Sequence, residues 1–209
     1  MIKIAVLVSG SGSNLQALID AHLSGEIVGV LSNKPEAFAL ERAHKAGIPT
    51  AVIEHKQYPS REAFDDVMHQ QLLDWDVDLV VLAGFMRILS EKFVKAWEGK
   101  MLNIHPSLLP HYKGMHTHQR VLNTGDVLHG CTVHYVTPEL DAGQALAQGV
   151  LKVSHQDTTH TLAQRVHVLE HLIYPQVVEW ICNGTIQHTK QGVLYLNAKM
   201  QEPVQFCKF

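Results

Sequence analysis

The sequence predicts an α/β fold, a doubly wound and mostly parallel sheet with antiparallel strands in the C-terminal part. Through the first half, short runs rich in Val, Ile and Leu alternate four times with amphipathic helical segments, a pattern typical of parallel strands joined by helices. Past residue 110 strand-like runs follow one another without intervening helices. The 209 residues, 46 % of them hydrophobic, suffice for one compact domain (1–209), and we expect 1–110 and 111–209 to be its two parts.

The first part has a regular order of elements. Strands are expected at residues 2–8, 27–31, 50–53, 78–84 and 101–105. Helices are expected at about 13–23, 36–45, 61–73 and 91–97. Pro35 precedes the second helix, and Gly47 with Pro49 ends it, as these residue types start and stop helices. The alternation is Rossmann-like.

The second part is organised differently. Strand-like runs at 130–136 and 145–153, joined by a loop with Pro and Gly around Asp141, predict an antiparallel appendage. A long helix at about 159–182 carries a continuous apolar stripe. Residues 184–198 read as a terminal hairpin.

Composition excludes several classes of protein. The net charge of −3, a pI near 6.6 and the lack of any block of like charges argue against a nucleic-acid partner. Cys131, Cys182 and Cys207 form no CxxC pair, which favours neither a disulfide framework nor a zinc cluster and fits a reducing compartment. No apolar run reaches the roughly 18 residues that span a membrane, and the N-terminal run is too short for a signal peptide. We therefore expect a cytoplasmic protein without a membrane partner.

A glycine-rich turn, "VLVSGSGSNLQALID", follows the first strand. Gly10 and Gly12 let a ligand approach the backbone, and Ser13 and Asn14 open a helix whose N-terminus favours an anion. The dinucleotide-binding fingerprint is incomplete, because Leu15 stands where its third glycine would be. Two interpretations stay open: a phosphate or phosphosugar site, or a tight turn with Ser13 as the helix N-cap.

Two polar residues interrupt the strand "MLNIH". Asn103 and His105 share one face of this strand because side chains alternate, although a buried parallel strand should be apolar. They lie at the carboxyl end, where ligands bind in open α/β sheets. An imidazole can move a proton and an amide can donate to an oxyanion, so the pair suits acyl transfer. Asp141 is the best candidate for a carboxylate that stabilises the imidazolium; a buried Asn–His pair without catalytic function is the alternative.

Three further features admit two interpretations each. The HxH pair His116 and His118 lacks a third ligand with suitable spacing, so a polar helix start is favoured over a metal site. Glu170, at the margin of the long helix's stripe, either binds a sugar hydroxyl or lies at the boundary with solvent. An apolar patch with one cation ends the fourth strand and suits either a flat heteroaromatic ligand with acidic groups or a solvent-exposed helix start; it comprises Met86, Arg87, Ile88 and Leu89.

Taken together, the motifs resemble the phosphoribosylglycinamide formyltransferase family of folate-dependent enzymes. The resemblance rests on "VLVSGSGSNLQALID", "SNKPEAFALERAHKAGIPT", "DLVVLAGFMRILS", "LNIHPSLLP", "GMHTHQRVLNTGD" and "GCTVHYVTPELDAGQALAQ", in that order. It weakens after about residue 185. It implies transfer of the formyl group of 10-formyltetrahydrofolate, the co-substrate, to the amine of phosphoribosylglycinamide in purine biosynthesis, without a metal. A monomer or weak homodimer is expected.

The resemblance also implies roles for individual residues. Its catalytic residues are matched by Asn103, His105 and Asp141. Its substrate-binding residues are matched by Gly12, Ser13 and Asn14 at the phosphate and by Glu170 at the ribose. Its folate-binding residues are matched by Arg61, Met86, Arg87, Ile88, Leu89 and Asn103. One departure is visible: where the family commonly has Gly-Gly-Pro after the aspartate, this chain has Ala142-Gly143-Gln144.

Other functions remain as alternatives. A formyltetrahydrofolate hydrolase would use the same catalytic residues with water as acceptor, but such hydrolases carry an additional N-terminal domain, whereas the first strand here begins at residue 2. Methionyl-tRNA formyltransferases are longer and have a C-terminal tRNA-binding domain. A non-catalytic nucleotide-binding module needs only the glycine-rich turn and leaves the polar residues of "MLNIH" unexplained.

Overall fold

The structure, a computed structural model, describes residues 1–208, the last of them by its main chain only. The strands are β1 (Lys3–Val8), β2 (Glu26–Ser32), β3 (Thr50–Val52), β4 (Leu79–Leu82), β5 (Met101–His105), β6 (Leu128–Tyr135), β7 (Ala145–Lys152), β8 (Ile186–Thr189), β9 (Gly192–Tyr195), β10 (Ala198–Lys199) and β11 (Val204–Lys208). The helices are α1 (Ser13–Asp20), α2 (Phe38–Lys45), α3 (Arg61–Asp74), α4 (Glu91–Ala96), α5 (Thr117–Thr124) and α6 (Thr159–Cys182), with a short 3-10 helix at His55–Gln57.

A mixed sheet of eight strands forms the centre of the molecule. Its order is β11-β7-β6-β5-β4-β1-β2-β3, and the pairs from β5 to β3 are all parallel. The chain leaves β1 toward β2 on one side and returns to β4 on the other. The strand order therefore reverses between β1 and β4, the position at which open α/β sheets bind ligands.

The two faces of the sheet bury separate apolar clusters, and β1 shows why. Its alternate residues Ile4, Val6 and Val8 join the cluster that includes residues of α1, α2, α5 and α6. Ala5 and Leu7 point the opposite way, into the cluster with α3 and α4. Helices on both faces explain why β4 and all of β1 after Lys3 are apolar on both sides of the sheet.

The predicted doubly wound α/β class is confirmed, and so are the strands and helices of the first part, with ends shifted by up to three residues. The long helix has the predicted bounds, because Thr158 and Thr161 form a capping box at its start. The predicted antiparallel appendage is wrong. β6 pairs antiparallel with β5 and β7 with β6, so both strands extend the main sheet.

The C-terminal residues add two features. β8 and β9 form the predicted hairpin, and β10 joins it to make a small antiparallel sheet. β11, which the sequence analysis did not predict, pairs parallel with β7 at the edge of the main sheet. Among the helices within residues 1–208, none combines the length and apolar character that crossing a membrane requires.

Candidate active site

A cavity of about 1080 Å³ opens at the carboxyl ends of β1, β4 and β5. It lies at the reversal of strand order, where the sheet edge leaves a crevice. Loops that follow β1, β4 and β5, the start of α5, the turn after β6 and one face of α6 form its walls. All the predicted site residues except Arg61 line it: Gly12, Ser13, Asn14, Met86, Arg87, Ile88, Leu89, Asn103, His105, Asp141 and Glu170.

The glycine-rich turn forms one end of this cavity. Gly12 has φ 71°, and a Cβ there would lie 2.5 Å from Cβ of Ala39, so glycine is required by the fold. A Cβ on Gly10 would meet nothing within 4 Å. The N-cap of α1 is Gly12, without a side-chain cap, so the alternative interpretation with Ser13 as the N-cap is wrong. The first N–H groups of α1 therefore have no side-chain acceptor at the cap, a condition that suits an anion.

Arg42 supports the turn from behind, a contact that the sequence analysis missed. Its Nε donates to the main-chain oxygen of Ser11 at 2.8 Å, and its Nη1 donates to Gln16 at 3.0 Å. Lys34, two residues after the end of β2, also lines the cavity. Its position after the carboxyl end of a parallel strand was the signal that could have identified it.

Asn14 and Glu170 meet on the wall between α1 and α6. Asn14 Nδ2 donates to Glu170 Oε2 at 2.9 Å, and both residues are buried. Burial raises the pKa of Glu170, an effect that the hydrogen bond from Asn14 only partly offsets. Asn14 Oδ1 has no hydrogen-bond partner among the described residues. One turn further along α6, the Tyr174 hydroxyl donates to the main-chain oxygen of Leu82 at 2.9 Å, which fixes the helix against β4.

The loop after β4 forms an apolar wall. Met86 and Ile88 are more than half exposed although they are apolar. The main-chain N–H of Met86 donates to Ser9 Oγ at 2.8 Å, and Ser9 in turn donates to Asn33 Oδ1 at 2.6 Å. Exposed apolar side chains on a loop held in this way suit a planar, partly apolar ligand.

Arg61 is the predicted site residue that the structure does not bring to the cavity. It is the first residue of α3, and its side chain is 45 % exposed beside Glu62, at 3.6 Å. Ser60, rather than a ligand, caps this helix by accepting from the N–H of Ala63. A contact between Arg61 and a ligand would have to lie outside the cavity.

Asn103 and His105 point to the same side of β5, as the alternation predicts. His105 Nε2 lies 2.9 Å from the carbonyl oxygen of Tyr112. A carbonyl can only accept, so Nε2 carries a proton and Nδ1 is the nitrogen that can gain or lose one. Nδ1 lies 3.5 Å from Asp141 Oδ2, so the predicted proximity of these two side chains is observed.

Asp141 is held by the main chain around it. It adopts φ 49°, a left-handed conformation, and its Oδ2 accepts from the N–H of Gly114 at 2.9 Å. Gly143 follows in a position where a Cβ would lie 1.7 Å from the oxygen of Tyr135. Gln144, where the family commonly has proline, donates to the main-chain oxygen of Met200 at 3.3 Å. The departure in sequence thus leaves Asp141 beside His105.

His134 is a site residue that the sequence analysis missed. It lies opposite Asn103 in the pairing of β5 with β6 and lines the cavity. Its Nε2 is 3.3 Å from Asn103 Nδ2 and 3.9 Å from Asp141 Oδ1. The signal is the polar residue within the run "GCTVHYV". It points to the site only once this run is known to be the strand beside β5.

The HxH pair lies at the start of α5, as the favoured interpretation expected. His116 is the N-cap with φ 58°. His118 Nδ1 lies 2.9 Å from His129 Nε2, and burial lowers the pKa of each of these two histidines to about 4. Across residues 1–208 no group of three or more His, Cys, Asp and Glu side chains is arranged to hold a metal ion.

Known proteins resemble this chain in sequence and in overall structure. The family described as "Formyl transferase" matches residues 2–178. "Phosphoribosylglycinamide formyltransferase" of Escherichia coli K12 is 47 % identical over 190 residues, which cover 89 % of this chain and 90 % of that protein. The protein of the same name from Haemophilus influenzae is 43 % identical over 203 residues, which cover 95 % of this chain and 95 % of that protein. The structure of phosphoribosylglycinamide formyltransferase from Coxiella burnetii has a TM-score of 0.94 at 44 % identity, over 98 % of this chain and 99 % of that one.

Longer relatives match as well. The human "Trifunctional purine biosynthetic protein adenosine-3" is 48 % identical over 194 residues, which cover 91 % of this chain and 19 % of that protein. The chain therefore spans about a fifth of the length of this trifunctional relative. The resemblance found in the sequence motifs is confirmed by these matches. On the family match and on the relatives that it covers almost completely, the chain belongs to the formyl transferase family.

Proposed function

We propose that the chain transfers the formyl group of 10-formyltetrahydrofolate to the amine of 5′-phosphoribosylglycinamide, a step in purine biosynthesis. The observation that carries the proposal is the arrangement of Asn103, His105 and Asp141 in a cavity that also contains an uncapped helix N-terminus. The first group of residues suits acyl transfer and the second suits a phosphate. The names of the relatives from Escherichia coli and Haemophilus influenzae support phosphoribosylglycinamide as the acceptor of the formyl group.

The ribonucleotide would lie along the wall formed by α1 and α6. The main-chain N–H groups of Gly12, Ser13 and Asn14 would bind the phosphate, since this helix end is free of a side-chain cap. Glu170 would accept hydrogen bonds from ribose hydroxyls. The glycinamide amine would then extend from the turn toward Asn103 and His105, which line the same cavity.

The folate would lie against the apolar loop after β4. Met86, Ile88 and Leu89 would supply apolar contacts, Arg87 would supply a cation, and Asn103, which lines the same cavity, would also contact the folate. Arg61 is outside the cavity, so its proposed contact is restricted to an acidic part of the folate that extends beyond the cavity mouth.

The chemistry follows from the positions of three side chains. The substrate amine attacks the formyl carbon, a C–N bond forms, and the carbonyl electron pair moves onto oxygen. An N–H of Asn103 and the protonated Nδ1 of His105 stabilise that oxyanion, while Asp141 stabilises the imidazolium. The amine then passes its proton to Asp141 or to a water beside it. The oxyanion electron pair re-forms the carbonyl as the bond to the folate nitrogen breaks with its electron pair on that nitrogen, and the same proton passes on to that nitrogen through Asp141 and His105 or the water. The step uses no metal.

The wider setting of the protein is part of the proposal. We propose a single catalytic domain in which residues 1–110 supply the phosphate turn and 111–209 supply Asp141 and the long helix; residue 209 lies outside the described residues. We also propose that the protein acts in the cytoplasm on small molecules, as a monomer or weak homodimer, without nucleic acid or membrane partners.

The test mixes the purified protein with 10-formyltetrahydrofolate and follows loss of the formyl donor with and without phosphoribosylglycinamide. Loss that depends on the ribonucleotide supports the transferase. Loss that is independent of it indicates hydrolysis, and no loss at all contradicts both activities. A His105→Ala variant that keeps full activity would contradict the catalytic mechanism but not the substrates.

A further inference from the structure

Asn103 and His134 form a cross-strand pair. They lie directly opposite each other in the antiparallel pairing of β5 and β6, and both side chains line the cavity. Opposite residues of an antiparallel pair have Cβ atoms about 4.5–5.5 Å apart, close enough for direct side-chain contact. His134 is 2 % exposed, so bulk water does not compete for its ring nitrogens.

The hydrogen bonds of His134 define which nitrogen carries the proton. Nδ1 lies 2.8 Å from the main-chain oxygen of Tyr135, which can only accept, so Nδ1 is protonated. In the neutral ring Nε2 is then an acceptor. Its neighbour at 3.3 Å is Asn103 Nδ2, which can only donate. A hydrogen bond between the two side chains therefore forms in only one orientation of the Asn103 amide, the one that places its NH₂ group beside the imidazole.

The surroundings keep the imidazole neutral. Burial is the largest influence and lowers the pKa of His134, and the nearby His105 acts in the same direction. The bond to Tyr135 and the carboxylate of Asp141, 3.9 Å away, favour protonation but do not outweigh burial. A neutral ring leaves Nε2 with a lone pair at the pH at which the enzyme would work.

We propose that His134 is a positioning residue that fixes the Asn103 amide with its NH₂ group toward the reacting carbonyl. One N–H of the amide donates to His134 Nε2, and the second is left for the oxyanion. Without the imidazole the amide could rotate by 180° and present its oxygen, which would repel the developing negative charge. The inference rests on the proposed role of Asn103 in formyl transfer.

The experiment is a double-mutant cycle on kcat with His134→Leu and Asn103→Ala. His134→Leu alone should lower kcat about 10–100-fold and leave KM for both substrates within about twofold, since the oxyanion is present only after attack. In the Asn103→Ala background the same substitution should have little further effect, because no amide remains to be positioned.

Two further variants sharpen the test. His134→Gln offers an oxygen near the position of Nε2 and should restore part of the activity. His69→Leu, which removes a half-buried histidine of α3 that is bonded to Trp97 outside the cavity, is the control and should keep kcat within about twofold.

The outcomes separate the inference from the proposed function. An equal loss of kcat from His134→Leu in both backgrounds would overturn the positioning role while formyl transfer stands. Full activity of Asn103→Ala would overturn the role of Asn103 and the positioning role together. His134→Phe keeps the ring volume without either nitrogen and replaces His134→Leu in the cycle if the latter does not fold.

Discussion

The two polar walls of the cavity are built in different ways. On one wall, Asn14 and Glu170 come from the facing helices α1 and α6 and are joined by a single hydrogen bond of 2.9 Å. On the other wall, His105 is held by the carbonyl of Tyr112 and Asp141 by the N–H of Gly114, so both depend on the chain segment after β5. The helical wall leaves acceptor oxygens for a ligand, whereas the second wall fixes protons on particular atoms.

This difference assigns a separate kinetic effect to each wall. Groups that bind the ribonucleotide equally in the ground state and the transition state change KM, and groups that act only on the developing oxyanion change kcat. Substitutions at Asn14 or Glu170 should therefore act mainly on KM, and those at His105 or Asp141 mainly on kcat. The predictions that follow test that separation.

The largest effect is expected at the second wall. Asp141→Asn keeps the shape of the side chain but removes the charge that, in the proposed mechanism, stabilises the imidazolium of His105, so kcat should fall about 10²–10⁴-fold with little change in KM. His105→Ala should lower kcat by a factor in the same range. The kcat of the double variant should be no lower than that of the poorer single variant if the two residues act as a unit. The measurement is steady-state kinetics with both substrates. His155→Ala, at an exposed histidine, is the control, and a loss confined to KM in Asp141→Asn would contradict the assignment.

The glycine-rich turn allows a matched pair of substitutions. Gly12→Ala should lower the free energy of unfolding by roughly 2–4 kcal/mol, because φ 71° and the contact with Ala39 both exclude a Cβ. Gly10→Ala should change stability by less than about 0.5 kcal/mol, since its Cβ would meet nothing within 4 Å. Chemical denaturation measures both. Equal destabilisation by the two substitutions would show that the turn is not packed as described.

At the helical wall, Glu170→Gln should raise KM for the ribonucleotide about 10–100-fold while kcat changes less than threefold. The reason is the loss of charged hydrogen bonds to the ribose, each contributing about 1.5–3 kcal/mol. Glu179→Gln, on the same helix but bonded to Ser24 outside the cavity, is the control and should leave KM unchanged. A fall in kcat as large as that of Asp141→Asn would remove the distinction between the walls.

The smallest effect concerns the pH dependence of stability. Because burial raises the pKa of Glu170, the folded state holds this proton more tightly than the unfolded state does. The free energy of unfolding therefore declines as pH rises from the unfolded pKa, about 4.3, through the folded one. Glu170→Gln should be more stable than the wild type at pH 8, and the difference should shrink toward pH 4. Thermal unfolding at several pH values measures it, and a difference that grows toward acid pH would contradict the shift.

Much of the fold could be predicted because β1 to β5 and their helices have strong local patterns. Hydrophobic runs and capping residues define those elements. The long helix likewise begins after the capping residue Thr158. The partner of a strand is not encoded locally, so β6 and β7 were taken for an appendage. β11 was missed because five residues after Pro203 carry too little pattern to distinguish a strand from a loop.

The candidate site shows the same limit. Asn103 and His105 could be identified because two polar residues in a buried strand break a local rule. The distance of 3.5 Å between Asp141 and His105 could not be predicted from the sequence, because it depends on how the turn after β6 folds back toward β5. His134 could not be recognised without knowing which strand lies beside β5, and Arg61 could be assigned only by resemblance, which carries no information on distance.

The most direct test of formyl transfer at this cavity follows a ¹³C-labelled formyl group from 10-formyltetrahydrofolate by NMR. With phosphoribosylglycinamide present, we predict that the label appears on the ribonucleotide amine in a one-to-one ratio with its loss from the folate. His105→Ala and Asp141→Asn should slow both changes together. Label released as formate, at a rate that is the same with and without the ribonucleotide, would contradict the account.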